Sequence, residues 1–174
     1  MKKILIVIDY QNDFVSGSLG FEGAEKLDAG ICRRIAEYRA AGDEVAFTLD
    51  THASDYLNTQ EGRHLPVVHC LKGTEGHSLY GETAKSVREG DRIFEKPAFG
   101  SWELAEYLRA GEYDEVELAG LVSNICVLSN AVLAKTALPQ AKVSVNSSLT
   151  DSFDKKLNAE TLDILRGIQV EIIG

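Results

Sequence analysis

The sequence predicts an α/β fold, a three-layer αβα sandwich around a six-stranded, mostly parallel sheet. Three observations carry that expectation. Short β-branched runs alternate with longer amphipathic segments, the pattern of repeated βα units. Glycines fall just past several of the amphipathic segments, where a left-handed cap conformation is commonly needed. The 174 residues, 44% of them hydrophobic, suffice for one continuous core, so a single domain over 1–174 is expected.

The first strand, near 3–9, is the apolar run Lys3-Ile4-Leu5-Ile6-Val7-Ile8, closed by Asp9. Ala24 to Ala41 then carries apolar residues at helical spacing and stops before Gly42. Strands follow near 44–49 and 91–95, the second ending beside Lys96. A helix from Ser101 to Ala110 stops at Gly111, and a strand near 115–119 leads into a helix from Asn124 to Leu138. A strand near 142–146, a helix from Lys156 to Arg166 stopping at Gly167, and a strand near 169–173 complete the set. The stretch from Asp50 to about Gly90 breaks the alternation, being rich in His, Asn, Thr and Gly. Loops of that length in compact domains are usually functional or disordered. Its imidazoles and carboxylates point to function, a metal and substrate loop near 50–90.

Composition narrows the partners. A net charge of −9 weighs against a nucleic-acid backbone, whose binding relies on a positive field. No apolar run approaches the roughly 20 residues of a membrane span, and Met1-Lys2-Lys3 leads into a short strand rather than a cleavable signal. A soluble, cytoplasmic protein acting on a small molecule is the expectation. Three cysteines, Cys32, Cys70 and Cys126, are too few and too irregular for a disulfide framework. Cys32 lies inside a helical pattern and reads as a small buried hydrophobe, Cys70 as packing. His64 and His77 read as exposed loop residues.

Cys126 is the most informative of the three, because it follows the strand Val116-Glu117-Leu118-Ala119 where the chain turns into a helix. Unpaired N–H groups and the positive helix end favour thiolate there. Asp9 and Lys96 close two other strands, and strand carboxyl ends share one edge of a parallel sheet. Asp9 is the candidate proton acceptor and Lys96 the charge that steadies the sulfur. The Gly120-Leu121-Val122-Ser123 turn offers backbone donors for an oxyanion. With no histidine at these strand ends, a Cys-His protease arrangement is disfavoured. On the residues alone, packing and catalysis remain equally open for Cys126. Asp50 and His52, with His69 after the loop, form a ligand set suited to Zn²⁺, Fe²⁺ or Mn²⁺; capping remains open for the Asp-x-His pair.

Several separated motifs resolve these alternatives by resemblance. Val7-Ile8-Asp9-Tyr10-Gln11-Asn12-Asp13-Phe14, Leu49-Asp50-Thr51-His52, His69-Cys70, Lys96-Pro97-Ala98-Phe99-Gly100-Ser101 and Gly120-Leu121-Val122-Ser123-Asn124-Ile125-Cys126 occur in order. Together they resemble the isochorismatase-like cysteine hydrolases, most closely the nicotinamidase branch. The resemblance implies a Rossmann-like sheet, a catalytic set Cys126, Asp9 and Lys96, and an oxyanion hole from the amides of Val122 and Cys126. It also implies a cis peptide at Leu121-Val122 and one divalent metal, Zn²⁺ before Fe²⁺ or Mn²⁺, on Asp50, His52, His69 and Glu61. In such enzymes the metal holds the pyridine nitrogen while the thiol attacks the carboxamide. Phe14, Phe99, Leu65 and Leu121 are the implied substrate contacts, with Trp102 as further lining. Leu65 stands where many nicotinamidases carry an aromatic residue. The implied activity is hydrolysis of nicotinamide to nicotinate and ammonia through a thioester, in NAD salvage. A related N-carbamoyl or ureido amidohydrolase and a non-catalytic binding module on the same fold are the rivals. Family members are often homo-oligomers, and Ala131-Val132-Leu133-Ala134 could serve a subunit contact or the core.

Overall fold

A computed structural model describes all residues from Met1 to Gly174. Six strands, β1 (Lys3–Ile8), β2 (Glu44–Asp50), β3 (Arg92–Lys96), β4 (Glu115–Gly120), β5 (Lys142–Thr150) and β6 (Glu171–Ile173), form one sheet in the order 3-2-1-4-5-6. Every pairing is parallel, which puts all six carboxyl ends on one edge. β1 sits at the centre because both of its faces can be buried: Ile4, Ile6 and Ile8 join one core cluster, Leu5 and Val7 the other.

The first cluster packs the sheet against α5 (Trp102–Gly111), α6 (Leu128–Ala137) and α7 (Lys155–Gly167), through Leu104, Leu108, Ala131, Ala134 and Leu165. The opposite face is covered by α2 (Asp28–Ala40), which inserts Ile31, Ile35 and Tyr38. These are the three expected layers. Ser101 and Asp154 start α5 and α7 by accepting bonds from the first-turn amides, the usual N-cap device.

Three boundaries differ from the sequence expectation. Gly42 does adopt the left-handed cap, with φ +80°. At the end of α5 that conformation falls instead on Glu112 (φ 53°), while Gly111 is needed for clearance, since a Cβ there would lie 2.3 Å from the Tyr113 ring. After α7 it is Gln169, not Gly167, that turns left-handed. β5 runs on to Thr150, past the expected 146, with a register shift against β4 between Leu118 and Gly120. The 50–90 stretch is not bare loop: it holds a short helical turn, α3 (Gln60–His64) and α4 (Gly81–Lys85), and two isolated bridges, Gln11 to Leu79 and His52 to Leu71. α1 (Asn12–Val15), one turn directly after β1, is too short to carry a periodic signal.

Candidate active site and metal centre

Order 3-2-1-4-5-6 reverses direction between β1 and β4, and a crevice opens at the strand ends where that happens. Asp9 follows β1 and Cys126 follows β4, so the two flank the crevice. Gly120 makes their approach close: its φ is +106°, and a Cβ would lie 2.1 Å from the Ile8 carbonyl oxygen. Lys96 comes from the edge strand β3, with β2 and β1 lying between it and the strand that leads to Cys126. Its side chain, 1% exposed, spans the end of β2 to reach the same point.

There the Lys96 ammonium lies 2.6 Å from Asp9 Oδ2, 3.5 Å from Cys126 Sγ and 3.7 Å from Asp50 Oδ1, and donates to the Ala98 carbonyl at 3.0 Å. Burial disfavours the charge on Lys96, but its anionic neighbours, Asp9 first, outweigh burial and raise its proton affinity. Asp9 is fully buried; burial and Asp50 raise its proton affinity more than Lys96 lowers it. Thr48 donates to Asp9 Oδ1 at 2.6 Å, while Oδ2 faces the Lys96 ammonium.

Cys126 departs from the expected first helical turn. Residues Ser123–Val127 form a wide, π-type turn ahead of α6, a feature often found at functional sites. Burial, then Asp9, push the Cys126 thiol well above its ordinary value, with Lys96 offsetting only part. Burial thus works against the thiolate that a helix end favours, and the two effects oppose each other at this sulfur. The Leu121–Val122 peptide is cis. The Val122 amide finds no acceptor in the protein and so remains available to a bound oxygen. Asn130, absent from the sequence reading, donates to the Cys126 carbonyl at 2.8 Å and accepts from the Ser101 amide, tying α6 to the start of α5.

Beside this set, Asp50, His52 and His69 are buried, each offering one ligand atom within 4.8 Å of the others. Asp50 Oδ2 is 3.0 Å from His52 Nε2 and 3.2 Å from His69 Nε2, and Glu61 Oε1 is 3.8 Å from both imidazoles. A tetrahedral ion with ligands at about 2.0–2.1 Å needs donors roughly 3.3 Å apart, so Asp50, His52 and His69 fit a small divalent cation, with Glu61 somewhat farther off. His69 Nδ1 donates to the Val67 carbonyl at 2.8 Å, which fixes the ring and turns Nε2 toward the candidate ligand cluster. Hydrogen bonds from His52 and His69, with Lys96, overcome burial and hold Asp50 well below the usual carboxylate range. Tyr56, also missed by sequence reasoning, packs its ring 4.6 Å from His52 and 4.9 Å from His69.

A cavity of about 430 Å³ opens onto Asp50, Glu61, His69 and Cys126. Phe14, Leu65, Phe99 and Val122 line it, and Phe14 lies 5.6 Å from the His69 ring. Leu121 does not: it is fully buried behind the turn, in the core facing α2. Trp102 is 71% exposed and lines a separate groove between α5 and α6. Phe153 is a lining residue outside every motif, and Ile125, inside the Cys126 motif, lines the cavity without having been singled out. His64 is exposed as expected, but His77 is buried, with its Nε2 2.8 Å from Thr51 Oγ1.

Residues 3–137 match the family model described as the isochorismatase domain. An uncharacterized isochorismatase family protein, PncA of Bacillus subtilis (strain 168), is 36% identical over 143 residues, 76% of this chain and 78% of that protein. The nicotinamidase/pyrazinamidase of Mycobacterium tuberculosis is 27% identical over 190 residues, covering 98% of each. A crystal structure of nicotinamidase/pyrazinamidase PncA from Bacillus subtilis superposes with a TM-score of 0.89, at 28% identity over 100% of both chains.

Proposed function

The chain belongs to the isochorismatase family, and on that premise we propose that it is a metal-dependent cysteine amidase converting nicotinamide to nicotinate and ammonia. The observation that carries this reading is the single buried ammonium of Lys96, 2.6 Å from Asp9 and 3.5 Å from Cys126. Asp9 Oδ2 takes the thiol proton as Sγ bonds to the carboxamide carbon. Charge gathering on the carboxamide oxygen is met by the amides of Val122 and Cys126. The C–N bond breaks as Asp9 gives its proton to the departing amine, releasing ammonia and leaving a thioester. Asp9 then draws a proton from water, whose oxygen displaces sulfur; Asp9 returns that proton to Sγ, and the product acid ionises to nicotinate. Lys96 keeps its charge throughout and holds sulfur and carboxylate in register.

Asp50, His52, His69 and Glu61 would hold one divalent ion, Zn²⁺ ahead of Fe²⁺ or Mn²⁺, which when bound supplies a Lewis-acid anchor for a ring nitrogen. Phe14 and Phe99 then flank a flat substrate, and Leu65 contributes an aliphatic wall. The setting proposed is NAD salvage in the cytoplasm, by a homo-oligomer; light scattering tests the last point. No helix is long and apolar enough to cross a membrane.

The test is ammonia release from nicotinamide, pyrazinamide and an N-carbamoyl amine, before and after chelation and with Zn²⁺ restored. Turnover of the two ring amides, lost with chelator and regained with Zn²⁺, is the expected outcome. Failure to turn over nicotinamide with Zn²⁺ restored ends the proposal. Chelator-resistant turnover of the N-carbamoyl compound would move the chain to the ureido rival. Ligand binding without ammonia from any of the three would leave a binding module.

A further inference from the structure

We propose that Gln11 is a positioning residue: its side-chain carboxamide replaces the missing strand partner of Asp50 and sets that carboxylate between the candidate metal ligands and Lys96. The proposal rests on the metal reading above.

The β1–β2 ladder runs out before Asp50. Its last paired residues are Val7 and Phe47, followed by one bond from the Asp9 amide to the Thr48 carbonyl at 3.2 Å. Asp9 then adopts φ 42°, a left-handed turn that ends the strand. Asp50 is left with a backbone neighbour only on the β3 side, where it pairs with Lys96. Gln11 fills the vacant side. Its Oε1 accepts the Asp50 amide at 2.8 Å and its Nε2 donates to the Asp50 carbonyl at 2.9 Å, the two-point pairing a strand residue would make. The second Nε2 hydrogen goes to the His77 carbonyl at 2.8 Å. Gln11 is fully buried, so no water can substitute for these bonds. A shift of Asp50 would be felt in two directions, since Oδ2 faces His52 and His69 while Oδ1 faces Lys96.

A buried amide serving stability alone would not alter metal affinity, and that difference is the test. Gln11→Met keeps the length and removes every hydrogen bond; Gln11→Glu keeps the acceptor but turns an oxygen toward two carbonyls. Zn²⁺ affinity of the folded protein, measured by competition with a chromophoric chelator, is expected to fall about 10–100-fold in each, the usual cost of losing an outer-shell partner. Tyr38→Phe, which loses a buried bond to Glu117 on the α2 face, serves as the stability control and is expected to bind Zn²⁺ as the wild type does. Unchanged affinity in Gln11→Met overturns the proposal, and Gln11→Glu carries the test should the Met variant not fold. A wild type that takes up no Zn²⁺ sinks the metal reading by itself. Hydrogen exchange then decides the placement: the Asp50 amide should lose at least about tenfold protection in Gln11→Met while Phe47 keeps its own, and equal protection at Asp50 overturns it.

Discussion

Asp9 and Glu117 are both buried carboxylates at the heart of the sheet, on neighbouring strands, and the protein moves them in opposite directions. Glu117 receives Arg34 at 2.9 Å and Asn146 at 3.1 Å on Oε1, and Arg34 at 2.6 Å and Tyr38 at 2.9 Å on Oε2. Burial would raise its pKa, but these bonds, Arg34 foremost, bring it below the usual range. Asp9 has one donor on Oδ1 and a lone ammonium beside Oδ2, and stays raised. Two carboxylates shielded from solvent thus become a fixed anion in one place and a proton carrier in the other. The deeper burial of Asp9 and its fewer aligned donors decide which.

The contrast is broken most directly at the reactive pair. Cys126→Ala should abolish ammonia release, and Asp9→Asn should cost about 10²–10⁴-fold in kcat, the range for a lost general acid–base, with circular dichroism unchanged for both. Near-normal rates in Asp9→Asn would assign the proton to another group. Glu117→Gln should do the reverse, leaving kcat intact at low temperature while lowering stability. Because Arg34 is about a third exposed and regains water, the loss is set at roughly 2–3 kcal/mol, below the full cost of a broken buried pair. In a chain of this size that is about 4–12 °C in Tm.

The same contrast has a pH signature. Glu117 ionises more readily folded than unfolded, so its stabilisation is complete above the unfolded value of about 4.3 and is lost as pH falls through the lower folded value. Urea midpoints of wild type and Glu117→Gln should therefore converge in acid and stay apart at neutral pH; a constant gap would assign the stabilisation to packing. The smallest effect is expected at the cavity wall. Leu65→Phe should lower KM for nicotinamide about 2–10-fold with kcat unchanged, the value of one ring contact.

The centre of the sheet was legible because parallel strands buried on both faces leave uninterrupted apolar runs, as in Ile4 to Ile8, whose end identifies Asp9; Lys96 ends the mostly exposed edge strand β3, marked only by the short apolar pair Ile93-Phe94. Periodicity said nothing of residues that act by reaching across the fold. Gln11 and Asn130 join elements distant in sequence, and Tyr56 packs within an irregular loop, so no local spacing marks them. His77 misled because a polar, Gly-rich neighbourhood suggests exposure, while its burial arises from Gln11 and Thr51 arriving from other elements. The helix ends at Glu112 and Gln169 show how local geometry can override residue preference: the left-handed position falls one or two residues beyond the glycine. At Cys126 the helix end that favours thiolate is visible in the sequence, whereas the burial that opposes it is not.

The long arm of Lys96 has a consequence for how the protein fails. β3 is an outermost strand, held by one ladder, and supplies the only ammonium of the set. Peeling that strand away on warming would withdraw the charge from Cys126 and Asp9 while the five remaining strands stay associated. Heat inactivation should then precede the cooperative melt, and cooling before aggregation should restore function without refolding.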